Sequence, residues 1–205
     1  MSAHHIHVIL RHVSPAVTRD IIVDSSMTLE RLHQVLQRVM EWNDSHLHLF
    51  ARNDGHRNRL LFEPRPPPEY ADHFDLMPDS RDTALHAVAE LLPTAGARAE
   101  YKYDFGDGWM HDLVAVTIGP APPRRKLPAC VGAEGAAPFD DCGGPPGFAE
   151  FRVAMLDPGH RRHASMLEWF GGRWDDTPPQ VATLNRRLRK LENAWLDEDR
   201  GAQLH

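Results

Sequence analysis

Apolar and polar residues alternate from His5 to Leu10 and again from Asp20 to Val23, and Ser14 and Pro15 lie between the two runs. Period-two alternation around such a break predicts two short strands joined as a hairpin. From Leu29 the period changes. Leu29, Leu32, Val35, Leu36, Val39 and Met40 recur at three and four, with Thr28 as N-cap and Glu30 in the first turn, and this predicts a helix with one buried face. Alternation returns in SHLHLFAR, which places Leu47, Leu49 and Ala51 on one side and His46, His48, Phe50 and Arg52 on the other. The order is ββαβ, a β-grasp-like start.

From Asn53 to Pro78 the pattern breaks into NDGHRN and PRPPPEY, a connector with polyproline character. Asp82 is placed to cap a helix running to Leu92. The segment YKYDFGDGWMH, Tyr101 to His111, reads as a β-hairpin on its Asp107-Gly108 pair, because a type I′ turn needs positive φ at both central residues. A two-residue loop would set Gly106 opposite Trp109, Phe105 opposite Met110 and Asp104 opposite His111. One face would then be core, with Tyr101, Tyr103 and Phe105 against Met110 and Val114. The other would gather Lys102, Asp104, Trp109 and His111.

Residues 119–147 lack periodicity and are rich in Gly and Pro, so they read as an irregular loop. Helical spacing then resumes over 148–156, 161–170 and 180–196, the last with Val181, Leu184, Leu188, Leu191 and Trp195 as its apolar stripe. The chain therefore reads as a single α+β domain over 1–205: β-rich over 1–118, irregular over 119–147 and helical over 148–200. A small mixed sheet would carry the long hairpin and a helical C-terminal part.

Composition narrows the function classes. With 205 residues, 41% hydrophobic and 25% charged, the chain can bury a core without a disulfide or structural metal. A net charge of −6 opposes a surface that tracks nucleic acid throughout. No apolar run approaches the ~18 residues of a membrane span and the start of the chain lacks a signal-peptide core, so a cytoplasmic protein without membrane contact is expected. Cys130 and Cys142 are too few for a disulfide framework and fit reduced thiols.

Fourteen histidines are the outlying feature, several of them grouped: His4, His5 and His7; His46 and His48; His160 and His163. Histidines two apart on a strand project from one face and can share a metal. His46 and His48 with Asp104 and His111, supported by Asp107 and Asp141, therefore form the candidate ligand or metal site, suited to zinc or manganese. Trp42 and Trp109 are expected along the same groove. Arg186, Arg187, Arg189 and Lys190, in NRRLRK on the last helix, are candidate phosphate contacts, which makes DNA a weaker partner reading. Recombinase chemistry is not supported, because Tyr101 and Tyr103 fall on the core face and Tyr70 in the proline-rich connector.

Four motifs in order, TLERLHQVLQRVMEWNDSHLHLF from Thr28, YKYDFGDGWMHDLVAV from Tyr101, DCGGPPGF from Asp141 and MLEWFGGRWD from Met166, resemble the pRiA4b ORF-3-like family over nearly the whole chain. The resemblance implies an α+β fold and a plasmid- and transposon-associated background. Relatives often carry an additional cysteine and Pro-Pro-Glu before the Asp-Cys-Gly-Gly, where this chain has Ala137, Pro138, Phe139 and Asp140, so a thiolate metal site is not implied here. The expectation is a binding or accessory protein for a protein or small-molecule ligand. The alternatives are a metal-dependent hydrolase or nuclease on His46, His48, Asp104 and His111, and a DNA-associated protein.

Overall fold

A computed structural model describes residues 1–53, 59–67, 69 and 76–202. Its strands are β1 (Ser2–Leu10), β2 (Val17–Asp24), β3 (His48–Asn53), β4 (Arg59–Glu63), β5 (Arg81–Asp82), β6 (Arg98–Tyr103), β7 (Trp109–Pro120) and β8 (Ala129–Glu134). Its helices are α1 (Leu29–Met40), α2 (Val88–Leu91), α3 (Gly144–Leu156), α4 (His163–Phe170) and α5 (Val181–Ala202). The strands form one sheet in the order β5-β4-β3-β6-β7-β1-β2-β8. Among the described residues only β4 and β5 pair in parallel, so the sheet is mixed and the fold is α+β. No helix among the described residues is long and apolar enough to cross a membrane.

The ββαβ start is present, with β1 and β2 antiparallel. The hairpin β6–β7 is inserted between β3 and β1. α1 forms as its pattern predicts: Thr28 accepts the Arg31 amide, Glu41 ends the helix in the left-handed region, and the apolar positions of its stripe are fully buried. Each such leucine contributes about 1.5–3 kcal/mol through removal from water. α5 lies on α1 through Arg187–Glu41 (2.8 Å), Arg31–Asp199 (2.5 Å) and the Trp195 indole, which donates to Gln34 Oε1.

Three expectations change. The connector over 53–78 contributes β4, which closes a short antiparallel hairpin on β3, and 119–147 contributes β8, which pairs with β2, distant in sequence. Tyr70 and most of NDGHRN lie outside the described residues. The helix expected from Asp82 shrinks to α2, since Arg81 and Asp82 pair with β4 and the Asp82 carboxylate accepts from Ala84 N.

The hairpin closes in a different register: Tyr103 faces Trp109, Lys102 faces Met110 and Tyr101 faces His111. The loop is Asp104 to Gly108, held by Asp104 itself. Its backbone is left-handed (φ 53°), its carbonyl accepts from Gly108 N (2.7 Å), and its Oδ1 accepts from Gly106 N (2.9 Å) and Asp107 N (3.2 Å). A short acid tolerates this conformation because its carboxylate can bond its own turn. The slip exchanges the two faces for several residues. Trp109 and His111 join Tyr101 and Tyr103 in the core, and Phe105 is exposed under Lys102.

Candidate metal centre

The turn between α1 and β3 is fixed from beneath. His33 on α1 bonds Asp44 Oδ1 through Nε2 (2.5 Å) and Tyr101 Oη through Nδ1 (2.7 Å), and Gln37 donates to the same phenol (3.1 Å) while accepting from Asp44 N (3.0 Å). These bonds are all satisfied when His33 Nε2–H donates to Asp44 and the Tyr101 hydroxyl donates to Nδ1. The imidazole contact lowers the Asp44 pKa, and burial raises that of Tyr101. The Asp–His–Tyr chain resembles a proton relay, yet His33 and Tyr101 are buried and its result is mechanical. With Ser45 N donating to Tyr103 Oη (3.2 Å) and Asp104 N to Leu47 O (3.0 Å), it holds residues 43–47 against the hairpin tip.

The tip is docked by a third segment. Asp107 Oδ2 accepts from Gly143 N (3.1 Å), and Gly144, at φ +67°, lies so close that a Cβ there would sit 2.4 Å from the Asp107 carbonyl. The same segment is tied to the 43–47 turn, since Asn43 N donates to Asp140 (2.9 Å) and the Trp42 indole donates to Pro138 O (2.7 Å).

At this junction His46 Nε2 lies 3.2 Å from Asp141 Oδ1 and 3.6 Å from Asp104 Oδ2, and one ligand atom from each residue falls within 4.8 Å of the others. The His46 Nε2 atom is shielded from solvent, but it has no hydrogen-bond partner of acceptable geometry among the described residues. Asp104 spends Oδ1 on its own loop and turns Oδ2 to His46. Ligands about 2.1 Å from a tetrahedral cation stand about 3.4 Å apart, so the two histidine–carboxylate spacings fit a shared divalent ion. Nitrogen with two carboxylates suits zinc or manganese.

The remaining expected site residues are placed elsewhere. His48 does not join His46; its ring stacks on His33 at 3.5 Å and 7°, inside the core. His111 does not meet Asp104; it is fully buried, with Nδ1 bonded to the Tyr101 carbonyl (3.3 Å). Burial drives both imidazoles down, to about 2 for His48 and about 3 for His111, so they are neutral side chains of the core. Asp107 holds Gly143 and is a docking residue. Trp42 and Trp109, expected along the groove, lie beneath it, with Trp42 stacked on Tyr103 at 4.8 Å. The groove that does open beside Asp141, about 360 Å³, is walled by Phe151, Met166, Trp169 and the Arg162–Glu150 pair.

Asp140 escaped the sequence reading. It is half-buried, desolvation raises its pKa, and its Oδ1 has no partner among the described residues. The signal available was its adjacency to Asp141. Neither thiol belongs to the cluster, and burial raises both, Cys142 to about 12. Of the grouped N-terminal histidines, His5 and His7 share Asp20 Oδ1 at 3.2 and 3.0 Å, and His4 bonds Leu92 O and Ser25.

The segments meeting here carry three of the four motifs noted in the sequence. A family model described as plasmid pRiA4b ORF-3-like protein matches residues 2–182. The uncharacterized protein y4hQ of Sinorhizobium fredii (strain NBRC 101917 / NGR234) is 35% identical over 189 residues, covering 92% of this chain and 91% of that protein. The crystal structure of the protein of unknown function MM3350 from Methanosarcina mazei Go1 superposes with a TM-score of 0.78. It covers 89% of this chain and 96% of its own at 23% identity, a likeness of fold alone.

Proposed function

Because the chain belongs to the plasmid pRiA4b ORF-3-like family, whose description names no reaction, we propose that it is a binding or accessory protein holding a divalent cation on His46, Asp104 and Asp141. One observation carries this reading: the shielded His46 Nε2, without a hydrogen-bond partner among the described residues, faces two carboxylate oxygens at metal-ligand spacing. Three protein ligands leave coordination positions open. Asp141 also lines the neighbouring groove, from which an oxygen-bearing group of a small molecule or protein would complete the shell. The plasmid in the family's description supports an accessory role on a mobile element.

The test is metal content. Protein purified without an affinity tag and dialysed against zinc or manganese should retain one ion per chain by plasma mass spectrometry. His46→Ala and Asp104→Asn should each lose it, while Cys142→Ser keeps it. Asn at 104 preserves the Oδ1 acceptor of the loop, so its unfolding midpoint should move by less than about 1 kcal/mol. Absence of a bound ion, or full retention in both ligand variants, would overturn the proposal.

Asp140 favours a second reading, a metal-dependent hydrolase in which this carboxyl carries the proton, because it is half-buried beside Asp141 with an Oδ1 that has no partner among the described residues. Metal-loaded protein would then cleave a model phosphodiester or ester, and Asp140→Asn would lose turnover while keeping the ion. Lack of turnover with metal bound sinks the hydrolase and leaves the binding protein standing.

A further inference from the structure

A second cleft, of about 630 Å³, opens between the segment before β8 and the exposed face of α5. Its charged lining is all of one sign: Arg124, Arg125 and Lys126 on one wall, Arg186 and Arg189 on the other. None of the five has a carboxylate within 4.0 Å among the described residues, although the whole chain carries a net charge of −6. Five unpaired cations held together repel one another, and an anion between them relieves that repulsion.

The walls are held in place. Asn185 on α5 accepts from Cys130 N (3.0 Å) and donates to Cys130 O (2.8 Å), so its amide locks the helix to β8 like a strand partner. The opposite wall includes Arg124 at φ 63°, a left-handed backbone that a bulky residue adopts at a cost of about 1–3 kcal/mol. This left-handed arginine lines the cleft.

We infer that this cleft binds a compact anion with several phosphate groups, such as the triphosphate chain of a nucleotide or a short inorganic polyphosphate. Three features favour this ligand over an extended nucleic-acid backbone. No aromatic ring lines the cleft among the described residues, so bases have no stacking platform. The volume lies in the range of small-ligand sites. The positive field is also bounded: Arg187, the half-buried neighbour, pairs with Glu41, and Glu192, Asp197, Glu198 and Asp199 follow along the helix. Of the four basic residues expected to contact phosphate, Arg186 and Arg189 line the cleft, while Arg187 and Lys190 do not.

Inorganic tripolyphosphate, titrated calorimetrically into chelator-treated protein at low salt, tests the assignment without involving the His46 cluster. Binding should occur. The triple variant Arg124→Gln, Arg125→Gln, Lys126→Gln and the single variant Arg189→Glu should each weaken it by at least about tenfold. Lys190→Gln, which removes a charge from the same helix outside the cleft, should change it by less than about twofold. No binding, or equal losses in Arg189→Glu and Lys190→Gln, would overturn the site. A short DNA duplex supplies the other source of phosphates. Duplex that binds through the same residues and is not displaced by tripolyphosphate would overturn the compact ligand.

Discussion

His48 and His111 show how far one residue's environment can depart from its chemistry. Both Nε2 atoms are buried without a partner among the described residues, and burial holds the pKa values near 2 and 3. In the unfolded chain each would titrate near 6.5. The folded values are depressed, so below about pH 6.5 the unfolded state takes up more protons, and stability present above that pH is lost as acid is added. Between pH 6.5 and 5 the two groups together should cost about 3 kcal/mol, read as a falling urea midpoint. His48→Phe, which keeps a ring against His33 and Phe50, should remove about half of that slope, and an unchanged slope would show that acid acts elsewhere. The grouping of His46 with His48 was legible in the sequence, but their opposite fates were not. One meets carboxylates from two distant segments, and the other meets α1.

At the scale of elements, the hairpin was legible as a hairpin and misread in register. The Asp-Gly pair favours a two-residue turn locally, but three influences outweigh it. Asp104 caps its own five-residue loop, Tyr101 and Tyr103 draw Trp109 and His111 into the core, and the Gly143–Gly144 segment docks on Asp107. Gly144→Ala should therefore undo more than a helix start. It places a Cβ against the Asp107 carbonyl at a positive φ, and should cost about 1–3 kcal/mol. Loosening this contact should also lower cation affinity, since Asp141 rides on the same segment. Gly171→Ala, at φ +81° with open space around it, is the control: comparable backbone strain with no loss of affinity.

For the whole molecule, Arg19 is the tie that composition hides. The residue is fully buried, and its guanidinium donates to Val39 O at the end of α1 (2.8 Å), to Thr18 O (2.7 Å), and to Glu134 O (2.7 Å) and Gly135 O (3.2 Å) at the end of β8. It joins three elements through their backbone carbonyls. Arg19→Met fills a similar volume but leaves those carbonyls dry, and should cost about 3–5 kcal/mol in the denaturation midpoint. Lys in its place lacks the planar fork and should rescue little. A loss below about 1 kcal/mol would show that water replaces the guanidinium.

The sequence by itself determined what short-range periodicity encodes: α1 with its Thr28 cap, the strands flanking it, the existence of the β6–β7 hairpin, the C-terminal helices, the α+β class and the family. It also named His46, Asp104 and Asp141 among the candidate ligands. The tertiary structure alone decided which of those candidates meet. It also decided that β8 exists as a strand and that Arg124 to Lys126 face α5. The physical reason is shared by all of these. A helix face or an Asp-Gly turn follows from neighbours three or four residues away, whereas strand pairing, register and the convergence of polar groups depend on residues distant in the chain. Their positions are set by burial of the aromatic core and by satisfaction of backbone donors and acceptors at the segment junctions.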